Sequence, residues 1–137
     1  MTKHYGSGTE MSQKILAGVN ILADSVASTL GPRGRNVILQ EKGKRPVITK
    51  DGVTVANFID IEDPIGNAAV QIIKQAAAQT NSDAGDGTTT STVLARAILN
   101  ESQKYISSGV PPVEVQRGIE KAVDAIVNKL KAIARPI

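Results

Sequence analysis

The stretch AGDGTTTST, residues 84–92, sets one carboxylate between two glycines and follows it with three threonines. Threonine is a mediocre helix former, yet VLARAILNESQKYISSG beyond it reads as a long helix. A helix N-terminus presents unpaired N–H groups and the positive end of the macrodipole, which together attract anions such as phosphate. Gly85 and Gly87 permit positive φ and a close backbone approach. The hydroxyls of Thr88, Thr89 and Thr90 add donors for phosphate oxygens. A carboxylate at Asp86 would compete for the same positive site unless a divalent cation lay between it and the phosphate. Mg²⁺ is commonly held in that way, by one or two carboxylates together with phosphate oxygens. The plainer alternative keeps Asp86 as an N-cap and the threonines as first-turn residues, because Asp is a favoured cap. Spacing alone admits both.

Two further turns carry polar groups. TLGPRGR (29–35) is either a second phosphate contact, with Arg33 or Arg35 supplying charge, or a helix C-cap followed by a solvated basic turn. KDG (50–52) offers Lys50 as a charge and Asp51 as a water-orienting group, or is an ordinary turn. The Walker A pattern G-x-x-x-x-G-K-[ST] is absent. The one histidine, His4, lies in a polar tail, so neither a histidine metal centre nor a Ser-His-Asp triad can be built. With no cysteine, disulfides, Cys-ligated zinc and thiol catalysis are excluded.

The elements that must position these groups follow from periodicity. Ser7 and Glu10 have capping-box spacing, and Met11, Ile15, Val19, Leu22, Val26 and Leu30 mark one helix face, with Gly31–Pro32 as the stop. NVIL (36–39) and PVIT (46–49) flank a charged tip and predict a hairpin. VTVANFI (53–59) fits a short helix or a strand. Asp63 as N-cap and Pro64 at the first helical position open a helix with Ile65, Ala69, Ile72, Ile73 and Ala76 as its buried stripe. The next helix is expected from Thr88 to Gly109. Pro112 opens the last, striped by Val115, Ile119, Ala122, Ile126, Leu130 and Ile133.

At 137 residues, 41% hydrophobic and 21% charged, the composition is that of a globular domain. Aromatics are only 2%, so the core must be built from Ala, Val, Ile and Leu, which suit closely packed helices. The net charge of +3 is mild, and no basic stripe is interleaved with aromatics, so no nucleic-acid partner is expected. No apolar run reaches the ~18–20 residues of a membrane span, and the N-terminus lacks a signal-peptide core. No membrane partner is expected, and a reducing cytoplasm is the default setting.

In order and spacing, GVNILADSVASTLGPRGRNVIL, ITKDGVTVA and AGDGTTTSTVLARAI resemble the group I chaperonins, the GroEL family, and the similarity continues through GVPPVEVQRGIEKAVDAIVNKLK. The resemblance implies a mainly α fold, with the long packed helices and small β-hairpin of the N-terminal half of a chaperonin equatorial domain. Residues 1–133 would be that half and 134–137 the start of the intermediate domain, the rest of the subunit lying outside the sequence. It implies ATP, Mg²⁺ and K⁺ as ligands. Thr29, Leu30, Gly31 and Pro32 resemble the loop that touches the nucleotide phosphates, and Lys50 resembles a backbone contact in the same pocket. The carbonyls of Thr29 and Lys50 would lie near the monovalent cation. Asp86 resembles the Mg²⁺ ligand, Gly87, Thr88, Thr89 and Thr90 the phosphate cradle, and Asp51 the catalytic carboxylate near the attacking water. The implied partners are ATP or ADP and the identical subunits of a homo-oligomeric ring, paired through the 36–49 hairpin. Unfolded clients and a co-chaperonin would bind only domains outside the sequence. Hydrolysis is expected of a complete subunit and not of these 137 residues alone. The alternative is a natural truncated paralogue that acts as a non-hydrolysing assembly module. Gln40 departs from the family pattern, in which that hairpin position is acidic.

Overall fold

A computed structural model of the chain describes residues 2–137. The chain divides into two compact units, one running to Asn100 and the other comprising Glu101–Ile137. Its elements are α1 (Gly8–Ala27), β1 (Val37–Leu39), β2 (Val47–Thr49), α2 (Gly52–Phe58), α3 (Pro64–Ala84), α4 (Thr88–Ser107) and α5 (Pro112–Ile133). The mainly helical fold with one small hairpin is the expected one, with a fifth, short helix where the sequence was ambiguous.

In the first unit α1 packs chiefly on α3. The two helices meet at glycines: a Cβ on Gly18 would fall 2.8 Å from the Gly66 carbonyl oxygen, and one on Gly66 would fall 3.0 Å from that of Lys14. Around this crossing Val19, Leu22, Val26, Val55, Ala56, Val70 and Ile73 form the core, flanked by Ala95 and Leu99 of α4. The Arg96 guanidinium ties α4 to Asp24 of α1.

The crossing sets the rotational phase of α3. Gly66, Val70, Ile73 and Ala77 face inward, while Ile72 is exposed and Ala76 lies outside the core. The expected stripe was therefore rotated, because Gly66 must point at α1 for the backbones to approach. The α1 face from Ile15 to Val26 is as expected. Its stop is earlier: the helix ends at Ala27, and Gly31 is not its cap. Ser25, Ser28 and Thr29 donate their hydroxyls back to the carbonyls of Ile21, Ser25 and Val26, a local competition that loosens the last turn. The capping box also fails. Ser7 occupies the cap position without a side-chain bond, and Glu10 pairs instead with Lys14, which reaches on to Asp63.

The hairpin pairs Val37 with Thr49, Ile38 with Ile48 and Leu39 with Val47, antiparallel. Leu39 is buried, whereas Ile38 and Ile48 stand 67% and 68% exposed on the other face. Gln40 closes the tip by donating its amide N–H groups to the carbonyls of Glu41 and Lys44, which an acidic residue could not do. α2 is helical because Asp51 caps it, accepting from the N–H groups of Val53 and Thr54. Asp63 caps α3 through Gly66 N–H at 2.7 Å, with Pro64 following as expected.

The second unit contains the end of α4, Gly109 at φ +101 and α5. The predicted stripe of α5 is present as a face but is not buried: Ile126, Leu130 and Ile133 are all exposed. Among the described residues no helix is long and apolar enough to cross a membrane.

Gly18→Val should lower stability by about 1–3 kcal/mol or more, because a branched side chain must separate two backbones already in contact. Gly118→Ala, where a Cβ would meet nothing within 4 Å, should be neutral or stabilising by up to about 1 kcal/mol. Urea unfolding of both variants checks the pair.

Candidate nucleotide site

The loop between α3 and α4 is shaped by two left-handed glycines. Gly85, at φ +73, ends α3 with its N–H bonded to the Asn81 carbonyl, and Gly87, at φ +90, leads into α4. Any side chain at either position would be strained. Asp86 lies between them, exposed, with its Oδ1 accepting the Gly87 N–H at 2.6 Å. It does not cap α4. Gly87 holds that place, its carbonyl accepting the N–H of Ser91 at 2.8 Å, so the N–H groups of Thr88, Thr89 and Thr90 have no partner within the helix.

A cleft of roughly 220 Å³ opens at this point. Leu30, Asp51 and Asp86–Thr90 line it, together with Gly52, Val53, Asn81 and Gly85. Three helix ends thus converge: the C-terminus of α3 and the N-termini of α2 and α4. Gly52 is needed for the approach, since a Cβ there would land on the Thr89 hydroxyl and lie 3.4 Å from that of Thr29. Thr29, Gly31, Pro32 and Lys50 do not line the cleft. The Thr29 hydroxyl is buried and donates to the Val26 carbonyl, and Gly31, Pro32 and Lys50 are exposed. A broader depression of roughly 620 Å³ lies by Ile21 and residues 60–63, and none of the predicted site residues borders it.

Two groups describe the chemistry of the cleft. Thr88 is only 6% exposed, and its hydroxyl oxygen is buried with no hydrogen-bond partner. The Thr92 hydroxyl, also buried, by contrast donates to the Thr88 carbonyl at 2.9 Å. A buried unpaired hydroxyl costs about 1–3 kcal/mol, and this one sits at a helix N-terminus in a residue that lines the cleft. Asp51 is the second group. The Thr54 hydroxyl, 2.6 Å from Oδ2, and the Thr54 N–H hold its carboxyl below the usual range, assisted by the Val53 N–H and opposed by slight desolvation. Among the described residues no three His, Asp or Glu side chains gather to hold a metal. A cation here would rest on Asp86 and ligand oxygens, a donor set that fits Mg²⁺ and not a protein-enclosed ion.

The family model of the TCP-1/cpn60 chaperonins matches residues 22–137. The chain belongs to the TCP-1/cpn60 chaperonin family. The chain is also similar to a solved structure of a group III chaperonin in the open state, with 30% identity and a TM-score of 0.81. That match covers 93% of this chain and 25% of the other, so this chaperonin sequence spans about a quarter of that chain. These matches establish the family and the fold.

Periodicity missed Asn81 as a lining residue because α3 runs four residues past the point where its apolar pattern fades, and missed Gly52 and Val53 because residues 53–59 fitted strand as well as helix. The Asp-x-x-Thr spacing of Asp51 and Thr54 was the signal for a cap at α2. Asp51→Ala should cost about 0.5–2 kcal/mol of stability at neutral pH. The folded carboxyl titrates below its unfolded value, so this contribution is complete above the unfolded pKa of about 3.9 and is lost as pH falls through the folded one. Urea midpoints of wild type and variant should therefore converge in acid.

Proposed function

We propose that the chain is the N-terminal half of the equatorial ATPase domain of a group I chaperonin, and that its cleft holds the phosphates of Mg-ATP. The observation that carries this reading is the buried, unpartnered Thr88 hydroxyl at the start of a helix whose free N–H groups border the same cleft as Asp86. Donors converge there as an anion requires, and one carboxylate stands beside them as a cation requires.

Thr88, Thr89 and Thr90 bind phosphate oxygens through hydroxyl and N–H groups, and Asp86 would hold Mg²⁺. Bound there, Mg²⁺ would neutralise charge on the phosphate oxygens as water attacks in line. The Oδ2 of Asp51 is taken up by Thr54, whereas Oδ1 receives only the long 3.4 Å contact from Val53. That leaves Oδ1 able to accept a hydrogen bond from the attacking water. With its pKa lowered, Asp51 orients the water and does not take its proton to any useful extent. The phosphate contacts of Gly31 and Pro32, and K⁺ at the carbonyls of Thr29 and Lys50, rest on the family resemblance alone. The hairpin supports ring assembly: its exposed Ile38–Ile48 pair and open edges suit a strand from a neighbouring subunit. Clients and co-chaperonin would be bound by domains outside this sequence, in the cytoplasm.

In the full-length protein, Asp86→Ala should reduce Mg-dependent ATP hydrolysis by about 100-fold or more while leaving the circular dichroism spectrum unchanged. Normal turnover by that variant would overturn the assignment.

A further inference from the structure

One pair of hydroxyls spans the glycine loop and takes no part in the reading above. Ser91, on the first turn of α4, donates its hydroxyl to Thr80 Oγ1 at 2.8 Å, a half-buried bond. Thr80, on the last turns of α3, donates its own hydroxyl to the Ala76 carbonyl at 3.1 Å. The two residues bracket the loop, and both also touch it through Gly87. The Ser91 N–H is bonded to the Gly87 carbonyl, and a Cβ on Gly87 would lie 3.4 Å from the Thr80 methyl.

We propose that the Thr80–Ser91 hydroxyl pair is a positioning clamp for the nucleotide loop, fixing the end of α3 against the start of α4 so that Asp86 and Thr88 face one ligand. The proposal rests on the phosphate reading of the cleft. A loop hung between two helix ends and containing two glycines has many backbone states available. It presents a carboxylate and a hydroxyl to one ligand only if its two anchors are held at a fixed separation. The backbone bond from Ser91 to Gly87 fixes the loop to α4. The Thr80 contact is the side-chain bond that also fixes it to α3. Neither residue lines the cleft, so the pair acts through the loop and not on the ligand.

The test measures the affinity of the full-length protein for ATP, with Mg²⁺ and in EDTA, for wild type, Ser91→Ala, Thr80→Val, the double variant and Ser91→Thr. Each single variant should weaken Mg-ATP binding about 3- to 10-fold, the worth of one hydrogen bond. The weakening in EDTA should be smaller, because the carboxylate contributes only through the metal. The double variant should be no worse than either single one, since both remove the same bond, and Ser91→Thr should restore affinity. Hydrogen exchange at the Gly87 and Thr88 amides should quicken in the nucleotide-free single variants. Wild-type affinity in both single variants would overturn the clamp, as would a loss equal with and without metal. A wild-type protein that binds no Mg-ATP would overturn the nucleotide reading itself.

Discussion

Two glycines touching across a helix crossing govern the first unit. With Gly18 of α1 against the carbonyl of Gly66 of α3, the helices approach closer than any side chain would allow. Val19, Leu22, Val70 and Ile73 can then pack around the contact with little aromatic bulk to fill space. The same residue serves the helix start, because the Gly66 N–H is the donor that Asp63 caps. Lys14, one turn before Gly18, reaches Asp63 from the other helix. Cap, ion pair and crossing therefore share one small region, and displacement of any of them strains the others.

The phase set at that crossing determines what α3 delivers at its far end. With Gly66, Val70, Ile73 and Ala77 turned inward, Thr80 faces the start of α4 and Asn81 the cleft. Nearly everything at the site comes from element termini, where backbone groups are unpaired and side chains are free to complete them. Asp51 meets that need within the chain by capping α2. The N-terminus of α4 has no such cap, and the Thr88 hydroxyl beneath it is unsatisfied. Leaving such groups unpaired gains an isolated protein nothing, and it is on them that the proposed phosphate site rests.

Local signals were read best where they act through the nearest few residues. Asp63–Pro64, the hairpin strands, the start of α4 at Thr88 and the start of α5 at Pro112 all stood where caps, β-branched runs and proline place them. The failures had competitors that pattern reading did not weigh. Glu10 found Lys14 in place of the Ser7 backbone, and hydroxyls at 25, 28 and 29 ended α1 before its glycine. The VTV run after Asp51 suits strand as well as helix by composition, and the Asp51 cap on the N–H groups of Val53 and Thr54 makes it helix.

Sequence alone determined the kind of every element except α2, their order and the motif GDGTTT, since these depend on propensity, capping and spacing within a few residues. Tertiary structure decided which face of α3 is buried, because that depends on a glycine contact between residues 48 positions apart, Gly18 and Gly66. It also decided that Asp86 is not a cap, that Leu30 and Asp51 share a cleft with it, and that Gly31, Pro32 and Lys50 stay outside. Spacing along a chain does not encode the separation of helix ends, and that separation builds the site.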